Sequence, residues 1–119
     1  MSRVRVAIAV GVLVVFAVIG GVIILANQHH GGQSVTFNLT VTGAKTMSPS
    51  AVSAHVNDTI TINIASDTDG EVHLHVYDIA FETKAGQTVS HTFKADKTCG
   101  CDIEWESTST SLGSLTVSP

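Results

Sequence analysis

Two histidines stand one residue apart in "EVHLHVYD", Glu71 to Asp78. Read as a strand, the period of two places Val72, Leu74 and Val76 on one face and His73, His75 and Tyr77 on the other. Backbones so spaced lie roughly 6–7 Å apart, close enough for both imidazoles to reach one metal ion. Two ligands fall short of a site, and an amphipathic antiparallel strand also carries solvated histidines on its polar face. On spacing alone both readings stand.

The second chemical feature is "KTCGCDIEWE", in which Cys99 and Cys101 flank Gly100. Two cysteines in an exported protein point to one disulfide. Extended residues two apart sit near the upper end of the bridgeable Cα range of about 4.4–6.8 Å, and Gly100 permits the bend that bonding needs. Two free thiols acting as soft ligands for Cu(I) or Zn, a redox-switching dithiol, and an intermolecular bridge are the alternatives. Cys101 also continues the phase of Ile103 and Trp105, so it can simply fill core volume.

The other candidates are weaker. His91 is in phase with Val89 and Phe93 and is expected inward, hydrogen-bonded in the core, while His55 precedes a turn and is expected to be solvated. His29 and His30 fall in a polar, glycine-containing stretch with nothing nearby to fix their geometry. No nucleophile motif, Gly-rich phosphate loop or paired carboxylates on one rigid element are present, and "STSTS" (107–111) lacks a base, so no enzyme is expected.

These residues need an address and a scaffold. Residues 6–26, "VAIAVGVLVVFAVIGGVIILA", run without a charge, and at about 1.5 Å per residue a helix of that length crosses a bilayer core of about 30 Å. Arg3 and Arg5 ahead of it place the tail 1–5 in the cytoplasm and the rest outside, in the cell membrane as a single-pass protein. A cleaved signal peptide is the rival reading, although signal apolar regions run only about 7–15 residues. Residues 27–34 read as a linker and 35–119 as one domain.

All ten acidic residues lie beyond the anchor against Lys45, Lys84, Lys94 and Lys97, so the exported part carries 4 − 10 = −6 with histidine neutral. A nucleic-acid partner is excluded for want of a basic face; no protein partner is named by the sequence. The domain alternates short Val-, Thr- and Ile-rich segments with turn signals, giving strands at 35–42, 50–56, 59–65, 71–77, 79–83, 88–94, 101–106 and 112–117. Turns are expected at 42–43, 47–49, 57–58, 67–70, 85–86 and 96–100. Strands so short and so spaced predict two antiparallel sheets packed face to face, an all-β sandwich.

In their order, "AVSAHVNDTITINIASD", "GEVHLHVYD", "AGQTVSHTFKADKTCGCDIEWES" and "LGSLTV" resemble a cupredoxin domain across residues 35–118. The chain is most similar to small bacterial membrane-anchored or secreted cupredoxin-like proteins with an EVHLHGYD-type stretch, a TFxADxxG turn and an LGxLxV ending. The resemblance implies a Greek-key β-sandwich and, in electron-carrying members, a blue-copper site taking one His before the middle strand and Cys, His and usually Met from the loop before the last strand. Here that loop reads "ESTSTSLGS", Glu106 to Ser114, with none of the three. What the resemblance then implies is a reduced site of His73 and His75 with Glu106 as third ligand, a set that suits Cu(II) or Zn better than Cu(I). A metal-free interaction module that keeps only the fold is the competing reading.

Overall fold

The computed structural model describes residues 32–119. The expected tail, the span at 6–26, most of the linker, and His29 and His30 lie outside them. No helix among the described residues is long and apolar enough to cross a membrane.

Nine strands form the domain: β1 (Ser34–Thr42), β2 (Thr46–Ser48), β3 (Ala51–His55), β4 (Thr59–Ser66), β5 (Gly70–Leu74), β6 (Ile79–Thr83), β7 (Gln87–Lys94), β8 (Cys99–Trp105) and β9 (Thr110–Ser118). A short 3-10 helix, Glu106–Thr108, links the last two. One sheet has the order β2-β1-β4-β7 and the other β3-β9-β8-β5-β6.

The inward alternation expected from the sequence holds. Ile60, Ile62 and Ile64 of β4 are buried, as are Leu39 and Val41 of β1, Val72 and Leu74 of β5, and Leu112, Leu115 and Val117 of β9. Phe81 and Trp105 supply the large core rings, while Val35, Phe37, Tyr77 and Phe93 are only half-buried around them.

The pairing differs from expectation. β1 runs parallel to β4, and β3 parallel to β9, so both sheets are mixed rather than antiparallel. A parallel pair cannot be closed by a tight hairpin and needs a longer crossover. Residues 43–58 provide it, with β2 occupying part of the region expected as the turn 47–49 and β3 passing to the other sheet.

Three further expectations need correction. The strand starting at Glu71 ends at Leu74, and after His75 the chain turns out of the sheet. His91 is exposed rather than buried, because β7 is an edge strand; its ring meets Phe81 edge-on at 5.0 Å. His55 is half-buried rather than solvated, beside the fully buried Asp58.

The Asp58 carboxylate accepts the amides of Gln33 (3.0 Å) and His55 (2.9 Å), and its carbonyl accepts that of Ala95 (2.8 Å). It thereby joins the entry to β1, the exit of β3 and the exit of β7 at one end of the sandwich. A buried carboxylate is tolerable when amides solvate it in this way.

Gly113 of β9 is packed with no room for a side chain: a Cβ there would lie 2.2 Å from the Ser50 carbonyl oxygen and 2.7 Å from Met47 Cε. Gly113→Ala is therefore expected to destabilise the domain by about 1–3 kcal/mol, as overpacking does. A thermal melt, in which about 1 kcal/mol moves the midpoint by roughly 4–8 °C for a domain of this size, reads the effect.

Candidate metal centre

Burial of Val72 and Leu74 turns His73 to the outer face of β5. Its cross-strand neighbours are Ala80 on β6 and Glu104 on β8. His75, just past the end of β5, keeps the β5–β8 register: its amide donates to the Asp102 carbonyl at 2.9 Å, the next outward partner after His73 and Glu104. The two imidazoles stand edge to face, centroids 4.6 Å apart and planes at 76°.

The turn from His75 to Asp78 is conformationally costly. Val76 has φ 75° and Asp78 φ 55°, both left-handed, a region Asp visits readily and a β-branched residue rarely. Val76 is also 54% exposed. Tyr77 pins the turn: its hydroxyl donates to the Lys97 carbonyl (2.5 Å) and accepts the Lys97 amide (3.1 Å). Its ring packs on Phe93, centroids 5.0 Å apart, under the Lys97 ammonium at 4.4 Å.

Each imidazole has a carboxylate partner. His75 Nε2 lies 2.5 Å from Glu104 Oε1, and His73 Nε2 lies 2.7 Å from Asp78 Oδ1. An ionised carboxylate only accepts, so both Nε2 atoms are the donors. His73 Nδ1 is buried and has no hydrogen-bond partner; the nearest carboxylate, Glu106 Oε1, is 3.8 Å away, beyond hydrogen-bonding distance.

One ligand atom from each of His73, His75 and Glu104 lies within 4.8 Å of the others, the one such cluster among the described residues. Donors about 2.0–2.2 Å from a common ion can be at most about 4.3 Å apart, so closing on an ion needs only small side-chain shifts. The His73 Nδ1 to Glu106 separation already falls inside that limit.

The His pair expected from the sequence is thus brought together, with Glu106 at its border on the 3-10 helix, 52% exposed. His55 and His91 are not brought to it. Glu104 and Asp78 were missed by the sequence reading. Glu104 carried a signal, since it alternates with the inward Ile103 and Trp105; Asp78 carried none, because its approach depends on the left-handed turn. The cysteines take no part: Cys99 and Cys101 are joined in a disulfide with Cα atoms 5.2 Å apart, facing Val117 and Leu115 across the ladder, which leaves neither as a free soft ligand.

The surrounding field is acidic. Glu71 stands directly opposite Glu82 on β6, a like-charge pair that costs stability. Both line a shallow groove with Glu106 and Lys84. The hydrogen bond that His75 donates to Glu104 raises the His75 pKa above the usual 6.5; burial opposes this, and the charges of Glu104, Asp102 and Glu106 add to the rise.

No family model matches the chain, and no curated protein matches it. Solved structures do. A copper-binding protein determined by NMR in its apo form aligns with a TM-score of 0.60 at 8% identity, covering 75% of this chain and 91% of that one. Auracyanin B gives 0.53 at 11% identity over 76% and 94%. The multicopper oxidase mgLAC gives 0.53 at 15% identity over 72% of this chain, which spans only 39% of that oxidase chain. At such identities the likeness shows the fold alone: the domain is a cupredoxin-like β-sandwich.

Two outcomes follow from this geometry. In the metal-free protein His75 should titrate above 6.5 in an NMR pH series, and Glu104→Gln should bring it down. Because the folded value is the raised one, the ion pair's stabilisation is complete below the unfolded value and is lost as pH rises through the folded one, so denaturation midpoints should fall over that window in wild type and stay flatter in Glu104→Gln. Val76→Gly should stabilise the domain by about 0.5–2 kcal/mol in chemical denaturation, since relief of about 1–3 kcal/mol of backbone strain exceeds the roughly 0.5–1 kcal/mol entropic cost of glycine.

Proposed function

We propose that this chain is a membrane-anchored, extracytoplasmic cupredoxin-like protein that binds a divalent transition-metal ion, copper foremost, through His73, His75 and a carboxylate, with no catalysis of its own. The observation that carries this reading is the convergence of one ligand atom each from His73, His75 and Glu104 within 4.8 Å, beside a His73 Nδ1 that is buried and has no hydrogen-bond partner. An orphaned buried nitrogen costs about 1–3 kcal/mol, which an ion at that atom would recover.

The donor chemistry supports Cu(II) or Zn over Cu(I). Imidazole and carboxylate are the available ligands, and the sulfur atoms that would favour the softer ion are tied up in the disulfide. Between the two divalent ions the general affinity order favours Cu(II). The acidic field from Glu71, Asp78, Glu82, Asp102 and Glu106 raises the local cation concentration around such a site. The membrane address rests on the apolar run 6–26 and the arginines before it.

Glu104 is the better-placed third ligand for His75, and Glu106 for His73 Nδ1, so the two carboxylates are separable by mutation. Titration of the full chain with Cu(II), Zn and Cu(I) tests the reading. Wild type should bind the divalent ions, and His73→Ala/His75→Ala should lose more than the roughly 10–100-fold that removal of an outer-shell partner costs. Binding by the double variant equal to wild type would sink the site and leave the metal-free interaction module as the surviving account.

A further inference from the structure

Asp78 is the acceptor that no reading of the metal ligands uses, and its position is unusual. It lies on the surface, in a left-handed backbone conformation, at the end of a turn that contains a left-handed valine and is pinned by Tyr77 to Lys97. The result of that arrangement is a single contact, from His73 Nε2 to Asp78 Oδ1 at 2.7 Å. A neutral imidazole carries one proton. If Nε2 donates it to Asp78, Nδ1 keeps its lone pair, and Nδ1 is the atom that is buried, unpartnered and 3.8 Å from Glu106.

We propose that Asp78 is a positioning residue that fixes His73 as the Nε2–H tautomer and so presents Nδ1, beside Glu106, to the ion. The proposal rests on the metal-binding reading above for its second half, while the tautomer itself is a property of the ion-free protein. His75 differs in this respect. Its Nε2 is engaged by Glu104, a member of the candidate ligand set, so an ion taking that nitrogen must displace the hydrogen bond. An ion arriving at His73 Nδ1 displaces none.

The test compares wild type with Asp78→Asn, whose amide oxygen can still accept from Nε2–H, and Asp78→Gly, which removes the acceptor and suits the left-handed backbone. Long-range proton–nitrogen NMR of the full chain at alkaline pH without metal reads the His73 tautomer directly. Wild type and Asp78→Asn should show Nε2–H and Asp78→Gly a mixture, with melting curves confirming that all three fold. Zn and Cu(II) affinities, measured against a chromophoric chelator, should fall about 10–100-fold in Asp78→Gly and recover in Asp78→Asn.

A wild-type His73 in the Nδ1–H form overturns the proposal, as does an Asp78→Gly affinity within twofold of a wild type that binds. If no variant binds an ion but Asp78→Gly alone loses the Nε2–H tautomer, Asp78 keeps its positioning role and the metal-binding reading is the one that fails.

Discussion

The ladder between β5 and β8 is three residues long, Val72 to Trp105, His73 to Glu104 and Leu74 to Ile103, and the candidate centre depends on its register. Val72, Leu74, Ile103 and Trp105 are all almost completely buried, each contributing about 1.5–3 kcal/mol by leaving water. A slip of one residue in either strand would turn that strand's polar side chain, His73 or Glu104, into the core and expose its apolar residues. The apolar face thus fixes the face that His73 and Glu104 share. Trp105 adds a steric check, since its indole leaves no space for a side chain on Gly70 where β5 begins.

What was legible in the sequence is what alternation encodes. Ile60, Ile62 and Ile64 announced β4, and the phase of Cys101, Ile103 and Trp105 announced the inner face of β8. The outward His73 followed from the same rule, and the export expected from the apolar run 6–26, with Gly100 between the cysteines, pointed to the disulfide. What escaped depended on contacts between distant segments. Parallel pairing of β1 with β4 has no local signature, because the crossover that permits it is made of β2, which folds back onto β1, and β3, which joins the other sheet. His91 kept the inward phase, yet a side chain at the rim of an edge strand is exposed whatever its phase.

The histidine pair shows the limit of periodicity at closer range. Extending the alternation past Leu74 placed His75 and Tyr77 on one face with His73. The two histidines do share a face, since the His75 amide still meets the Asp102 carbonyl in the β5–β8 register, but beyond His75 a left-handed turn at Val76 and Asp78 replaces the pleat. That turn also carries Asp78 back onto His73. Valine at position 76 offers no warning of positive φ, where glycine would have. The strain sits beside the chemistry, as local backbone strain commonly does.

One consequence concerns where this fold opens. Glu71 and Glu82 face each other across β5 and β6, and β6 is a five-residue strand at the border of its sheet. Repulsion at that pair weakens this border, by an amount that ionic strength tunes. His73 sits two pairs along, the next on the same face, opposite Ala80. The segment that gathers the imidazoles therefore adjoins a sheet border whose pairing strength the ionic strength of the solvent modulates.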